Sequence, residues 1–197
     1  MSPQPSRKEV THQRIVETAA RAIRRAGFHG VGVADIMKEA GLTHGGFYAH
    51  FASRDALLAE ALEHAGRDSA ERVVKDSAAR QAEGASAFRA LVEGYLSESH
   101  LRRAESGCPV AALASEIPRQ SPEVRSAASR RVRGLMARVQ QTLPADTAPE
   151  SAALVAGQLV GALQLARALG ENAEGKALLA ATARGLLAQY DTPRPHR

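Results

Sequence analysis

Residues 33–51 read VADIMKEAGLTHGGFYAHF. Two short helical stretches, near 33–40 and 44–50, are separated by Gly41, Leu42 and Thr43. Ala34, Ile36 and Met37 give the first stretch an inward face. Gly41 supplies the turn, because a left-handed backbone is cheap only for glycine. Leu42 plugs the corner, and Thr43 is placed to cap the second stretch. Two short helices about such a turn make a helix-turn-helix, spanning 32–51.

A recognition helix presents its N-terminal residues to base edges in the major groove. Here those residues are Thr43, His44, Gly45 and Gly46. Adjacent glycines cost a helix roughly 1 kcal/mol each relative to alanine. Their small size lets the backbone approach DNA closely. Tyr48 and His50 follow on the next turn, suited to phosphate or sugar contact. Phe47 and Phe51 anchor the segment to the small core.

Outward from this stretch the chain of 197 residues reads as all-α, with about nine helices. Val, Ile and Thr are sparse, and nothing alternates as a half-buried strand would. A first helix covers roughly 7–25 and stops at Gly27, with Val10, Ile15, Ala19, Ala22 and Ile23 near one face. Ser53 caps a helix with the stripe Leu57, Leu58, Ala61, Leu62 and Ala65. Its pattern fades after Val74, and 81–86 reads as a connector. Phe88, Leu91, Val92, Tyr95 and Leu96 mark the next helix. Pro109 opens another, and Ser121-Pro122-Glu123 a longer one to about Leu143. In that helix Val124, Val132, Leu135, Met136 and Val139 point inward. Two last helices run over about 150–169 and 174–190, and the tail 191–197 is expected to fray.

Composition narrows the function. Hydrophobic residues make up 44% and charged residues 24%, the balance of a globular protein. One cysteine excludes an intramolecular disulfide. No run of ~18 apolar residues favours membrane insertion, and the N-terminus lacks a secretory core. A reducing cytoplasm is the expected compartment. Net charge is +5, but residues 1–65 hold eight Lys/Arg against seven Asp/Glu. Bulk charge therefore does not point to the helix-turn-helix, so placed residues must carry a DNA argument. The basic start, Arg7 and Lys8, reads as a solvated terminus, against the alternative of an arm that adds phosphate or minor-groove contacts. Histidines 44, 50 and 64 lack metal-ligand spacing. The serines lie outside a Gly-x-Ser-x-Gly elbow, and no phosphate loop is present. No enzyme activity, cofactor or metal is expected.

Residues 9–69 resemble the DNA-binding domain of TetR/AcrR-type transcriptional regulators. The resemblance is carried by Ile15, Ala19-Ala20, Gly27-Phe28, Asp35-Ile36, Ala40-Gly41-Leu42-Thr43 and Gly46-Phe47-Tyr48-Ala49-His50-Phe51. Arg54 and Leu57 extend it. It implies that Thr43, His44, Gly45 and Gly46 enter the groove, that Tyr48 and His50 contact the backbone, and that Arg54 grips a phosphate. It also implies a homodimer, a helical C-terminal regulatory and dimerisation domain over 70–190, and a small-molecule effector. The expected function is a ligand-responsive repressor on a pseudo-palindromic, double-stranded operator. Gly32 departs from the pattern, standing where a Ser or Thr cap is usual.

Phe88, Tyr95, Cys108 and Met136 are the expected effector-binding or sensing residues. Cys108 precedes Pro109 and so caps a helix. The resemblance allows a redox or electrophile switch there, against the simpler reading of a buried packing thiol. A further alternative is a ligand-binding protein with weak, non-specific DNA binding. The helix at 150–169 is apolar almost all round. Gly157, Gly161 and Leu163, with Leu186 from the last helix, are expected at a dimer interface, against the alternative of an internal core helix.

Overall fold

In the computed structural model, which describes residues 4–191, Ser6 opens the first helix, α1 (Arg7–Ala26). Its hydroxyl accepts from the Glu9 amide at 3.2 Å, and the Glu9 carboxylate accepts from the Ser6 amide at 2.6 Å. That reciprocal pair satisfies two donors a helix start leaves open. Gly27 ends α1 at φ +76°. Next comes α2 (Val33–Glu39). Gly32 has no side chain to cap it, and only Asp35 answers, accepting from the Gly32 amide at 3.3 Å.

Gly41 sits at φ +71°, as the turn requires. The stretch after it is a 3₁₀ helix, His44–Ala49, rather than an α-helix. Its first bond runs from the Gly46 amide to the Thr43 carbonyl at 3.1 Å. Two glycines in one turn remove the propensity that would favour the wider α winding. Ser53 then caps α3 (Arg54–Ala82), accepting from the Ala56 amide at 3.0 Å. α3 outruns its apolar stripe because alanine and charged residues keep forming helix where nothing is buried.

The remaining helices are α4 (Ala87–Tyr95), α5 (Glu98–Arg102), α6 (Pro109–Leu113), α7 (Pro122–Thr142), α8 (Ser151–Leu169) and α9 (Ala173–Tyr190). No strand occurs among the described residues. α5 is too short for an apolar period, but Ser97 caps it by accepting from the His100 amide at 3.1 Å. Pro109 occupies the first turn of α6, as its missing N–H permits.

The chain forms two compact units that do not follow chain order. The first holds the chain up to Asp68 together with Glu105–Arg131; the second holds Ser69–Ala104 and the chain from Val132 on. Ile15, Ile23, Phe28, Ile36, Met37, Phe47, Phe51 and Leu58 form the first core, and Leu113, Val124, Ala127 and Ala128 join it. Val10 and Ala34, expected inside, are exposed.

In the second unit α9 packs against α8 and α4, and α5 against α8. Leu163 and Leu186 lie in the chain's interior, at 0% and 1% exposure, and so do not form an outer interface face. Their spacing marks the side of each helix that its neighbour covers. The opposite side of α8 carries Gly157, Leu154 and Leu165, the two leucines being 58% and 59% exposed. Gly161 is half-buried with open space around it. By length and composition alone α8 is apolar enough to cross a membrane; here one side of it packs against α9 and the other is open. Val132 on α7, expected inside, is exposed. Asp191 is not frayed: it accepts from Ser86 and pairs with Arg89 at 2.9 Å. The rest of the expected tail, 192–197, lies outside the described residues.

Candidate nucleic-acid interface

Phe47 and Phe51 are buried with ring centroids 5.6 Å apart, and they fasten the 3₁₀ segment to the core. α2 packs against the same segment. That attachment leaves Thr43, His44 and Gly45 exposed and Gly46 half-buried. Tyr48 stands 73% exposed, edge-on to Phe47 at 5.2 Å. An aromatic side chain left this open is available to a partner. Thr43 does not cap with its hydroxyl as expected; it caps through backbone conformation alone, at φ −82° and ψ 148°.

Neither Gly45 nor Gly46 has a positive φ. A Cβ at Gly45 would meet nothing within 4 Å. One at Gly46 would find only the Met37 methyl at 3.8 Å and the Thr43 hydroxyl at 4.0 Å, both ordinary contacts. The fold therefore requires glycine at neither position.

His50 closes the segment, half-buried. Its Nδ1 is buried with no hydrogen-bond partner. The His12 ring lies 6.0 Å away, stacks on Phe51 at 4.5 Å, and donates from Nε2 to Glu60 at 2.7 Å. Burial first, then the charges of His12 and Lys8, hold the His50 imidazole below its ordinary pKa. It is therefore neutral at pH 7, with one ring proton to place. A buried N–H without an acceptor is costly, so the proton belongs on Nε2. His50 thus offers a neutral donor from its other nitrogen.

Arg54 is half-buried and turned inward. One terminal nitrogen donates to the Phe28 carbonyl and, at 3.4 Å, to that of Val31. A phosphate contact would fall to its remaining N–H groups. The Phe28 amide in turn donates to Glu116 at 2.9 Å. Neighbouring ties bind the end of α1 to the same stretch. Arg24 is buried; it donates to the carbonyls of Ala20 at 2.9 Å and Gly107 at 3.1 Å, and pairs with Asp68 at 3.3 Å. Arg25 reaches Glu39 at 2.9 Å and Glu105 at 3.4 Å. Sequence reading missed Glu116, Arg24 and Asp68, for no local pattern marks partners more than forty residues apart.

The expected effector residues are not gathered in one unit. Phe88 and Tyr95 are buried and Met136 half-buried in the second unit; Cys108 is buried in the first. Cys108 stands at the start of α6 without a side-chain capping bond. A cavity of about 480 Å³ in the second unit lies between the 144–151 loop and Gln189-Tyr190, and none of the four lines it. His100 is packed edge-on to Tyr95 at 4.8 Å; its Nδ1 donates to the Tyr95 carbonyl at 2.7 Å, and burial pushes its pKa down to about 4.

Comparison with known proteins agrees with this geometry. Residues 15–61 match the family model of bacterial regulatory proteins of the tetR family, and residues 84–182 match a tetracyclin repressor-like C-terminal domain. An uncharacterised HTH-type transcriptional regulator of Mycobacterium tuberculosis is 31% identical over 167 residues, covering 79% of this chain and 83% of that protein. The HTH-type transcriptional repressor NemR of Escherichia coli is 25% identical over 133 residues, covering 68% and 67%. The crystal structure of reduced E. coli NemR superposes with a TM-score of 0.77 at 21% identity, covering 94% of this chain and 100% of that one. The multidrug binding protein EbrR, complexed with imidazole, superposes at 0.64 and 22% identity, covering 98% of each chain.

Proposed function

The chain belongs to the TetR family of bacterial transcriptional regulators, and on that premise we propose that it is a ligand-responsive repressor binding a pseudo-palindromic operator as a homodimer. The observation that carries the DNA reading is the pair Gly45-Gly46. Glycine there serves neither backbone conformation nor internal packing. What it leaves is room for something outside, on the element that carries Thr43, His44 and Tyr48. Two copies of that element enter successive major grooves about one helical turn apart. Thr43 and His44 read base edges, while Tyr48 and the Nε2 donor of His50 hold the backbone.

The open side of α8, with Leu154, Leu165, Gly157 and Gly161, is the face a second copy covers; small residues there let helices approach closely. Leu165→Glu is expected to yield monomers in sedimentation; a dimer of unchanged stability would count against this face. The effector is a small molecule held by the second unit, the unit that contains Phe88, Tyr95 and Met136. Cys108, being buried, packs in this reading. The name of NemR as a repressor favours repression over activation.

The deciding experiment measures binding to the DNA upstream of the protein's own coding sequence, with sheared genomic DNA as competitor. Discrimination of at least a thousandfold, with affinity falling steeply as salt rises, is expected of a specific regulator. Equal affinity for both DNAs refutes operator recognition.

A further inference from the structure

We propose that Glu116 and Arg54 are positioning residues for DNA recognition, holding the α1–α2 corner at Phe28 from both sides and so fixing the angle at which α2 delivers the 3₁₀ segment. This rests on the DNA-binding reading above, and neither residue needs to touch DNA for it to hold.

The corner is short and its two polar groups at Phe28 are both claimed by side chains. The Phe28 amide donates to the Glu116 carboxylate at 2.9 Å, and its carbonyl accepts from Arg54. The same Arg54 nitrogen also reaches the Val31 carbonyl, just before α2 begins. Phe28 and Val31 are buried, so their side chains cannot swing to relax the corner. α2 then packs on α1 and on the 3₁₀ segment. An error in the corner is thus carried to Thr43 and Tyr48 as a rigid displacement. A docked helix tolerates little of that, since misplacement of about 1 Å in a preorganised site removes most of its complementarity.

Glu116 is itself held firmly. Its amide donates to the carbonyl of Leu113, a core residue, at 2.9 Å, and its carbonyl accepts from the Arg119 amide at 3.1 Å. Gly27 completes the fit. A Cβ there would lie 2.3 Å from the Glu116 carboxylate, so the corner admits the carboxylate only because residue 27 has no side chain. Charge argues against a direct DNA role for Glu116, since a carboxylate near phosphates repels them.

The signs of two simple effects oppose each other, which makes the proposal testable. Removing an acid strengthens non-specific binding to DNA; losing the corner weakens operator binding. Fluorescence anisotropy with the upstream fragment and with sheared genomic DNA measures both. Glu116→Ala is expected to lose tenfold or more on the upstream fragment, with affinity for genomic DNA unchanged or raised. Glu116→Asp keeps the charge but cannot reach Phe28, and is expected to behave like Glu116→Ala. Glu116→Gln keeps an acceptor and is expected to restore affinity to within threefold. Arg54→Lys keeps a cation for phosphate; its operator affinity falls with the salt slope unchanged. Amide exchange at Phe28 faster in Glu116→Asp than in Glu116→Gln, at equal melting temperature, reports the corner directly. Full operator affinity in both Glu116→Ala and Glu116→Asp overturns the proposal. A wild-type protein that fails to distinguish the two DNAs refutes the operator reading instead.

Discussion

Gly27 and Gly45 are both glycines in the first unit, and they answer to different surroundings. Gly27 has φ +76°, and a Cβ would collide with Glu116 at 2.3 Å. The backbone conformation demands glycine there, and a Cβ would in addition displace the Glu116 carboxylate. Gly45 has an ordinary φ and empty space where its Cβ would go. Nothing inside the molecule asks for it. A residue that costs a helix up to about 1 kcal/mol relative to alanine, with no internal return, points to a constraint imposed from outside the chain. The same residue type thus marks a structural joint in one place and, in the proposed function, a contact surface in the other.

The contrast breaks most visibly at the joint. Gly27→Ala forces alanine into a backbone at φ 76° and ψ 174° that is open essentially to glycine alone, and pushes the carboxylate off the Phe28 amide. Backbone strain of about 1–3 kcal/mol and a lost part-buried hydrogen bond of about 0.5–1.5 kcal/mol sum to roughly 1.5–4.5 kcal/mol. Denaturant unfolding should show it; a loss under 0.5 kcal/mol would mean the corner yields freely.

That measurement belongs above pH 6.5, because the second unit has an acid sensitivity of its own. Half-buried His100 stays neutral down to about pH 4, whereas the unfolded chain takes up its proton near 6.5. Its contribution is complete above 6.5 and is lost as pH falls towards 4, up to about 3 kcal/mol. Unfolding curves at pH 7.5 and 4.5 should differ accordingly, and His100→Gln should flatten the difference. An unchanged difference in that variant would assign the acid lability elsewhere.

At the recognition segment the expectation reverses. Gly45→Ala should leave the melting temperature the same or slightly higher while operator affinity drops about tenfold, near 1.4 kcal/mol. Equal affinity would show that DNA does not approach this backbone. Gly46→Ala should act in the same direction with the smaller fold effect, since Met37 and Thr43 already stand at contact distance. Measuring the two variants together ranks how closely each position meets the groove.

Much of the site was legible because it is local. Gly41, the Ser53 cap and the aromatic anchors Phe47 and Phe51 declare themselves within a few residues. The winding of His44–Ala49 was less so, because the choice between 3₁₀ and α turns on small differences in a glycine-weakened turn. The inward aim of Arg54 was not legible, since its acceptors lie 26 and 23 residues earlier in the chain. Leu163 and Leu186 show the converse limit: an apolar helix face is visible in sequence, but whether a neighbour in the same chain covers it is not.

The order of elements, their caps and the helix-turn-helix follow from residues a turn or two apart, where propensity, capping and periodicity act. Only the tertiary structure decided that 105–131 joins the first unit, that Glu116 and Arg54 claim the two sides of Phe28, and that His50 loses access to water at Nδ1. Those outcomes depend on which distant groups come within hydrogen-bond range once the core closes. A hydrogen bond's partner is fixed by distance and direction in space, and separation along the chain carries almost none of that information.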